Sequence, residues 1–154
     1  MAIETILLAV GPMDAVRAEE LAETTLELAD PLDATVVIGH AFSADSYEDF
    51  REHLGFEERL EDIDPDEVAA ERPPVPELEE LIEDAGVETE IRGIVSDVDT
   101  GVVDLAEEVG ADRAIIAGQR GSPAQRAVLG SVSKQIMTDA PCPVTYFRDL
   151  DIME

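Results

Sequence analysis

Short apolar runs alternate with amphipathic segments along most of the chain. Five of these runs have the length and apolar or β-branched composition of buried strands; they span residues 3–10, 34–40, 87–95, 113–117 and 143–147. In the first two runs the apolar residues are consecutive, so both faces of these strands are expected to be buried. Two such strands joined by a helix are typical of a parallel sheet.

The segments between the strands show helical periodicity, with apolar residues three or four positions apart. In the first helix these residues are Ala18, Leu21, Ala22, Thr25, Leu28 and Ala29. Asp30-Pro31 is expected to end this helix. Three more helices are predicted over residues 77–86, over residues 100–110 and from residue 131 onwards.

Residues 42–76 interrupt this rhythm. They are rich in acids, contain four prolines and show little periodicity. We expect a mobile crossover here, with one short helix around residues 47–54.

The alternation of strand and helix predicts a doubly wound α/β domain. We expect a five-stranded, Rossmann-like parallel sheet with strand order 3-2-1-4-5, right-handed crossovers and helices on both faces. A chain of 154 residues is long enough to bury the core of one such domain. We assign residues 1–148 to this domain and residues 149–154 to an acidic C-terminal tail.

Charge changes the picture more than any other bulk property. The chain has 37 acidic and 10 basic residues, a net charge of −27, and Lys134 is its single lysine. This composition resembles that of proteins from extreme halophiles, in which molar salt shortens the Debye length to about 3 Å and screens the repulsion between acids. A nucleic acid partner is disfavoured, because phosphate backbones are bound by clustered lysine and arginine.

The sequence also bears on location and metal content. No apolar run approaches the length of about 18 residues that spans a bilayer, and Glu4 stands where a signal peptide carries positive charge. We therefore expect a cytoplasmic protein that does not bind a membrane. Cys142 is the only cysteine and His40 and His53 are the only histidines, so neither an internal disulfide nor a zinc site is expected.

Two segments are candidates for ligand binding, because open parallel sheets bind ligands beyond the carboxyl ends of their strands, where the strand order reverses. Residues 11–14 follow the first strand, and residues 118–121 follow the fourth and lead to Gly130-Ser131. Glycines allow backbone N–H groups to approach an oxyanion, and a helix N-terminus adds unpaired donors and a favourable dipole.

The distribution of charge favours the second segment. Residues 110–148 hold five basic and two acidic residues, a net charge of +3, whereas residues 43–90 carry −16. A stretch spared from acids is what a polyphosphate site requires. The alternative explanation is that this stretch is more buried and for that reason less charged.

Several of these segments resemble the universal stress protein family. The similar stretches are ILLAV, VIGH, GADRAIIAGQRG and LGSVSKQIMTDAPCPVTYF, which together extend over nearly the whole chain. The Gly-Ser-Val-Ser and Ala-Pro-Cys-Pro-Val elements are the most specific of them. The ATP-binding members of that family carry G-x2-G-x9-G-[ST], and Gly118, Gly121, Gly130 and Ser131 occupy its positions.

The resemblance implies a set of nucleotide-binding residues for ATP or AMP, with Mg²⁺ as a possible companion of the nucleotide. They are Val10, Gly11, Ala41, Gly118, Gln119, Arg120, Gly121, Gly130, Ser131 and Val132. The chain departs from the family pattern in having eight rather than nine residues between Gly121 and Gly130, and Gly11 where binders have an aspartate. Ala41 replaces a frequent valine. The sequence leaves open whether Asp14 substitutes for the missing acid.

Other polar residues are weaker candidates. Asp97 and Asp99 have the spacing to hold Mg²⁺ beside phosphates, although capping of the following helix explains them better. His40 is assigned a structural role, since no nucleophile and base pair is apparent. No catalytic residue is therefore assigned, and at most slow ATP hydrolysis is expected.

The last strand is apolar and ends the sheet, and a bare apolar edge favours pairing with another chain. In the family this strand pairs across a homodimer, which implies contacts through Val144, Thr145, Tyr146 and Phe147. Two hypotheses follow: a nucleotide-binding homodimer acting in the stress response, or a stress-protein dimer that binds no nucleotide and acts as an interaction module.

Overall fold

The computed structural model describes residues 3–53, 64–96, 98–118 and 131–147. Its strands are β1 (Thr5–Ala9), β2 (Thr35–Phe42), β3 (Thr89–Val95), β4 (Arg113–Ala117) and β5 (Val144–Phe147). Its helices are a 3-10 turn (Pro12–Arg17), α1 (Ala18–Leu32), α2 (Ala44–His53), α3 (Pro65–Ala70), α4 (Val75–Asp84), α5 (Val98–Val109) and α6 (Ser131–Asp139). Among the described helices, none has both the length and the apolar character that crossing a membrane requires.

The five strands form one sheet in the order β3-β2-β1-β4-β5, and every pairing is parallel. The predicted fold class and strand order are therefore confirmed. Helices cover both faces: α1 packs with α4 on one side, and α5 packs with α6 on the other.

Alternation along the central strands divides the core into two layers, because successive strand residues point to opposite faces. Ile6 and Leu8 of β1 belong to the layer that contacts α1 and α4, whereas Leu7 belongs to the layer that contacts α5. All three side chains are fully buried. Full burial of such a side chain contributes about 1.5–3 kcal/mol, so coverage of both faces is a main source of stability.

The first helix extends further than the sequence predicted. It continues through Pro31 to Leu32, and the chain then turns at Asp33, whose φ is 53°. The Asp33 N–H donates to the carbonyls of Ala29 and Asp30, which is a left-handed helix cap. Pro31 has no N–H to donate to the carbonyl of Glu27, but Glu27 is exposed, so water can serve that carbonyl. The left-handed cap at Asp33 rather than the proline ends the helix.

The predicted irregular crossover is more regular than expected. A helix was predicted around residues 47–54 and is present as α2, but α3 was missed and α4 begins at Val75 rather than at Glu77. The α3 helix is only six residues long, too short to show periodicity, but its start carries a recognisable signal. The Asp64 side chain accepts the N–H of Asp66, and Pro65 follows the cap.

The start of α3 is attached to the outer strand β3. The Asp66 carboxylate accepts the N–H of Gly93 at 2.7 Å. Arg92 adds an exposed ion pair to Asp66 at 3.9 Å, which contributes little. An N–H group of β3 that does not bond to β2 is thereby satisfied by a side chain of α3.

At the amino ends of the strands, Asp112 joins β1 to β4. One of its carboxylate oxygens accepts the N–H groups of Glu4 at 2.9 Å and Thr5 at 3.1 Å, and its own N–H donates to the Thr5 carbonyl at 2.8 Å. The two backbone hydrogen bonds lower the pKa of the Asp112 carboxyl.

We expect Asp112→Asn to destabilise the fold in a pH-dependent way. Because the pKa of Asp112 is lower in the folded state, its stabilisation is complete above the unfolded value of about 3.9 and is lost as the pH falls through the folded pKa. The variant keeps the shape of the side chain without the charge. Urea unfolding should show the largest difference from wild type near pH 7, and this difference should shrink toward pH 3.

The exposed Glu107 on α5 provides the control, as Glu107→Gln also removes one negative charge. Its unfolding curve should follow that of wild type at each pH. An equal difference between Asp112→Asn and wild type at all pH values would contradict the assigned role of the Asp112 charge.

Candidate functional site

An open cleft of about 240 Å³ lies at the carboxyl ends of the strands, where the strand order reverses. β1 pairs with β2 on one side and with β4 on the other, and the helices that follow β1 and β4 in the described chain cover opposite faces of the sheet. The ends of β1, β2 and β4 together with α5 and α6 line the cleft. Such a crevice is the usual ligand site of an open α/β sheet.

Four of the residues predicted from the sequence line this cleft: Val10, Gly11, Ala41 and Val132. They come from three segments far apart in the sequence, namely the ends of β1 and β2 and the first turn of α6. Gly118 lies directly after β4, where its contacts are with Arg17 and β5. The fold thus brings the first four residues together and places the fifth beside the cleft.

Other predicted residues lie outside the described ranges. They are Asp97, Gln119, Arg120, Gly121 and Gly130. Ser131 is the first residue of α6 and Asp99 belongs to the first turn of α5, but only their backbone is described. Within the described ranges, no three His, Cys, Asp or Glu side chains lie close enough together to hold a metal ion.

The walls of the cleft are mostly apolar. Val102 of α5 and Ile136 of α6 line it opposite the strand ends, and Asp14, His40 and Ser133 supply polar groups. A mostly apolar cleft with a few fixed polar groups is typical of a small-molecule site.

The alanine at position 41 has a packing reason. A Cβ added to Gly101 of α5 would lie 2.6 Å from the Cβ of Ala41, closer than real Cβ atoms approach. The helix backbone therefore packs directly against the end of β2. A valine at position 41, which is frequent in the family that the sequence resembles, would press on α5.

Asp14 reaches the cleft although it lies three residues after Gly11, the position at which binders have an aspartate. The 3-10 turn folds it back, so that the Asp14 N–H donates to the Gly11 carbonyl at 3.0 Å and its Oδ2 accepts the Gly11 N–H at 2.9 Å. The residue is 6% exposed and lines the cleft. The structure therefore places the carboxylate of Asp14 at the end of β1. The sequence spacing had left open whether Asp14 could take the place of the aspartate that binders have at position 11.

Sequence reasoning missed the lining residues Val102, Ser133 and Ile136, and it also missed Arg17, which contacts the cleft residue Asp14 without lining the cleft itself. Nε and Nη2 of Arg17 donate to Asp14 Oδ1 at 3.0 and 2.7 Å, and Nη2 also donates to the carbonyl of Gly118. The side chain is 4% exposed, and its guanidinium carbon lies 5.8 Å from the centre of the Phe147 ring. The available signal was an arginine three residues after an aspartate, a spacing that allows pairing in a helical turn.

His40 holds the end of β1 from the neighbouring strand. Its Nδ1 lies 2.7 Å from the Val10 carbonyl, and since a carbonyl only accepts, Nδ1 carries the hydrogen. The ring packs edge-on against Phe42, with ring centres 4.4 Å apart. Burial lowers the pKa of His40, as does the charge of Arg72, while the bond to Val10 and the charge of Asp14 act in the opposite direction. The neutral imidazole is therefore the favoured form.

Solved structures of similar fold include several nucleotide complexes. The universal stress protein of Archaeoglobus fulgidus in complex with dAMP has a TM-score of 0.63 at 22% identity, covering 95% of this chain and 98% of that one. A family protein of Arabidopsis thaliana with AMP bound has a TM-score of 0.62 at 17% identity, covering 98% and 95%. A universal stress protein in complex with cAMP has a TM-score of 0.63 at 18% identity, covering 96% and 98%.

At these identities the likeness to solved structures establishes the fold. A search of curated proteins found no match. A comparison with protein families matches the universal stress protein family over residues 2–148, which is almost the entire sequence. This chain belongs to the universal stress protein family.

Proposed function

We propose that this chain is a cytoplasmic, nucleotide-binding stress-response protein that holds an adenine nucleotide in the cleft between β1 and β4 and catalyses little or no reaction on it. The observation that carries the proposal is the meeting of Val10, Gly11, Ala41 and Val132 at the point where the strand order reverses. Three separate segments, the ends of β1 and β2 and the first turn of α6, bring these four residues to one cleft.

The chemistry of the cleft suits a base and its sugar. Apolar walls formed by Val10, Ala41 and Ile136 accommodate the faces of a planar ring. Asp14 is the acceptor for a ribose hydroxyl: Arg17 occupies Oδ1 with two N–H groups, whereas Oδ2 accepts only one N–H among the contacts described. A carboxylate oxygen accepts two hydrogen bonds, so Oδ2 retains capacity for the ligand.

The phosphate end is assigned to the start of α6. The first N–H groups of a helix have no partner within the helix and favour an anion, and Ser131 begins α6 next to the cleft residue Val132. The sequence between Gly121 and Gly130 is one residue shorter than in the motif of ATP-binding members. We therefore expect one phosphate to be held better than three, so that AMP is preferred over ATP with Mg²⁺.

AMP binding is the primary test of this function. Calorimetry in molar KCl should show saturable binding of AMP, with weaker binding of ATP and Mg²⁺. Gly11→Val should weaken AMP binding about tenfold or more, because Gly11 lines the cleft, its φ of −133° is accessible to valine, and no atom lies within 4 Å of an added Cβ.

Ala15→Val is the matched control, since Ala15 lies in the same 3-10 turn and is exposed. It should bind AMP like wild type. If wild type releases no heat with AMP, the alternative holds, in which the chain is a dimeric interaction module; the short segment between Gly121 and Gly130 and the glycine at position 11 are the observations that favour that alternative.

We further propose that the chain forms a homodimer through β5. This strand lies at one edge of the sheet, and all four of its residues are partly buried rather than exposed. The carbonyl of Pro143 accepts the N–H of Ala114 in β4, and the carbonyl of Phe147 accepts that of Gly118 directly after β4. By strand alternation the backbone groups of Val144 and Tyr146 therefore point outward. These outward groups are available to a second chain.

Sedimentation in molar KCl should give twice the chain mass of 16.6 kDa. Val144→Pro removes an outward N–H without touching the bonds to β4 and should yield monomer, whereas Val144→Ala keeps the N–H and should remain dimeric. Circular dichroism establishes that both variants are folded. A wild-type protein that sediments only at 16.6 kDa would show the dimer to be absent.

The acid-rich composition is proposed to be an adaptation to high salt. With a net charge of −27, repulsion between surface acids is long-ranged at low ionic strength and is screened in molar salt. The urea concentration at the unfolding midpoint should rise between about 0.1 and 2 M KCl. A midpoint that is independent of KCl, or that falls, would contradict salt adaptation.

A further inference from the structure

Gly118 contacts residues of β5 and the side chain of Arg17. Its N–H donates to the Phe147 carbonyl at 2.9 Å, and its own carbonyl accepts from Arg17 Nη2. A Cβ added to Gly118 would overlap the hydroxyl end of Tyr146, so a larger residue here requires the Tyr146 side chain to move. The point at which the chain leaves β4 is therefore fixed by β5 on one side and by Arg17 on the other.

Arg17 joins this point to the turn after β1. The same nitrogen, Nη2, contacts both Asp14 Oδ1 and the Gly118 carbonyl, which belongs to a residue 101 positions away in the sequence. Asp14 in turn holds the Gly11 N–H. One guanidinium thus connects the two strand ends between which the cleft lies, and it also fixes the orientation of the Asp14 carboxylate.

Stability alone does not account for this arrangement. Removing an arginine and an aspartate from water is costly, and an apolar pair of similar size is often as stable. Among the described residues, the buried Nη1 of Arg17 also has no hydrogen-bond acceptor. An arginine, unlike a lysine, presents several donors in a fixed plane and can hold two partners at a set angle.

We propose that Arg17 is a positioning residue of the nucleotide site. By fixing the Gly118 carbonyl and the Asp14 carboxylate together, it sets the distance between the β1 and β4 ends and directs the remaining acceptor capacity of Asp14 toward the ligand. This inference rests on the nucleotide-binding function proposed above. We expect Arg17 to affect the binding of the sugar and phosphate of the ligand, and not the binding of the base, which contacts the apolar walls.

Calorimetry with AMP and with free adenine tests this assignment on the full chain in molar KCl. Arg17→Met should weaken AMP binding about tenfold or more, because the hydrogen bonds that orient the Asp14 carboxylate and the Gly118 carbonyl are lost. The same substitution should change adenine binding less than twofold. Arg17→Lys should give an intermediate loss for AMP, since lysine supplies a charge and three donors on one nitrogen but lacks the planar fork of arginine.

Asp112→Asn is the control for a purely structural effect, because Asp112 joins the same two strands at their opposite ends. It should lower stability without changing the ratio of AMP to adenine affinity. If Arg17→Met weakens both ligands equally, or neither, the positioning role is wrong.

The outcomes separate the two proposals. Wild type that binds AMP, with Arg17→Met and Arg17→Lys binding equally well, overturns the role of Arg17 alone. Wild type that binds no AMP overturns the proposed function and this inference with it. Should Arg17→Met fail to fold, the AMP to adenine ratio of Arg17→Lys decides, and an unchanged ratio overturns the positioning role.

Discussion

The central strands of this protein have apolar residues at consecutive positions, and this one constraint determines much of the structure. Ile6, Leu7 and Leu8 are all fully buried, so both faces of β1 need a cover. Parallel strands meet that need when the chain crosses first over one face and then over the other. The change of face occurs between β1 and β4, and it leaves the crevice that four of the predicted site residues line.

The sequence was sufficient to predict the architecture and part of the site, because both depend on local patterns. Runs of apolar residues identified the strands, and glycines and motif positions selected Val10, Gly11, Ala41 and Val132, which the fold brings to one cleft. Residues 119–130 lie outside the described ranges, so the glycine motif itself stays a prediction.

What the sequence did not reveal depends on one contact between distant segments and on short local turns and caps. The contact between Arg17 and Gly118 spans 101 positions and leaves no periodic trace. The return of Asp14 to the end of β1 follows from a 3-10 turn whose start is marked only by Gly11-Pro12. The helix α3 is too short for periodicity, and α1 passes through Pro31 because Asp33 caps it in a left-handed conformation. At Pro31 the cap at Asp33 therefore outweighed the signal of the proline, and in the other cases the local signal was absent or too short to recognise.

The contact of α3 with the outer strand has a consequence for assembly. Asp66 takes up the Gly93 N–H, so β3 is obstructed as a template for a further strand, whereas β5 at the other margin has outward backbone groups. A sheet with one accessible edge can pair with one further strand. When a second copy adds through its own β5, the combined sheet ends on a β3 strand at each margin, and growth stops after that step instead of continuing into a fibre.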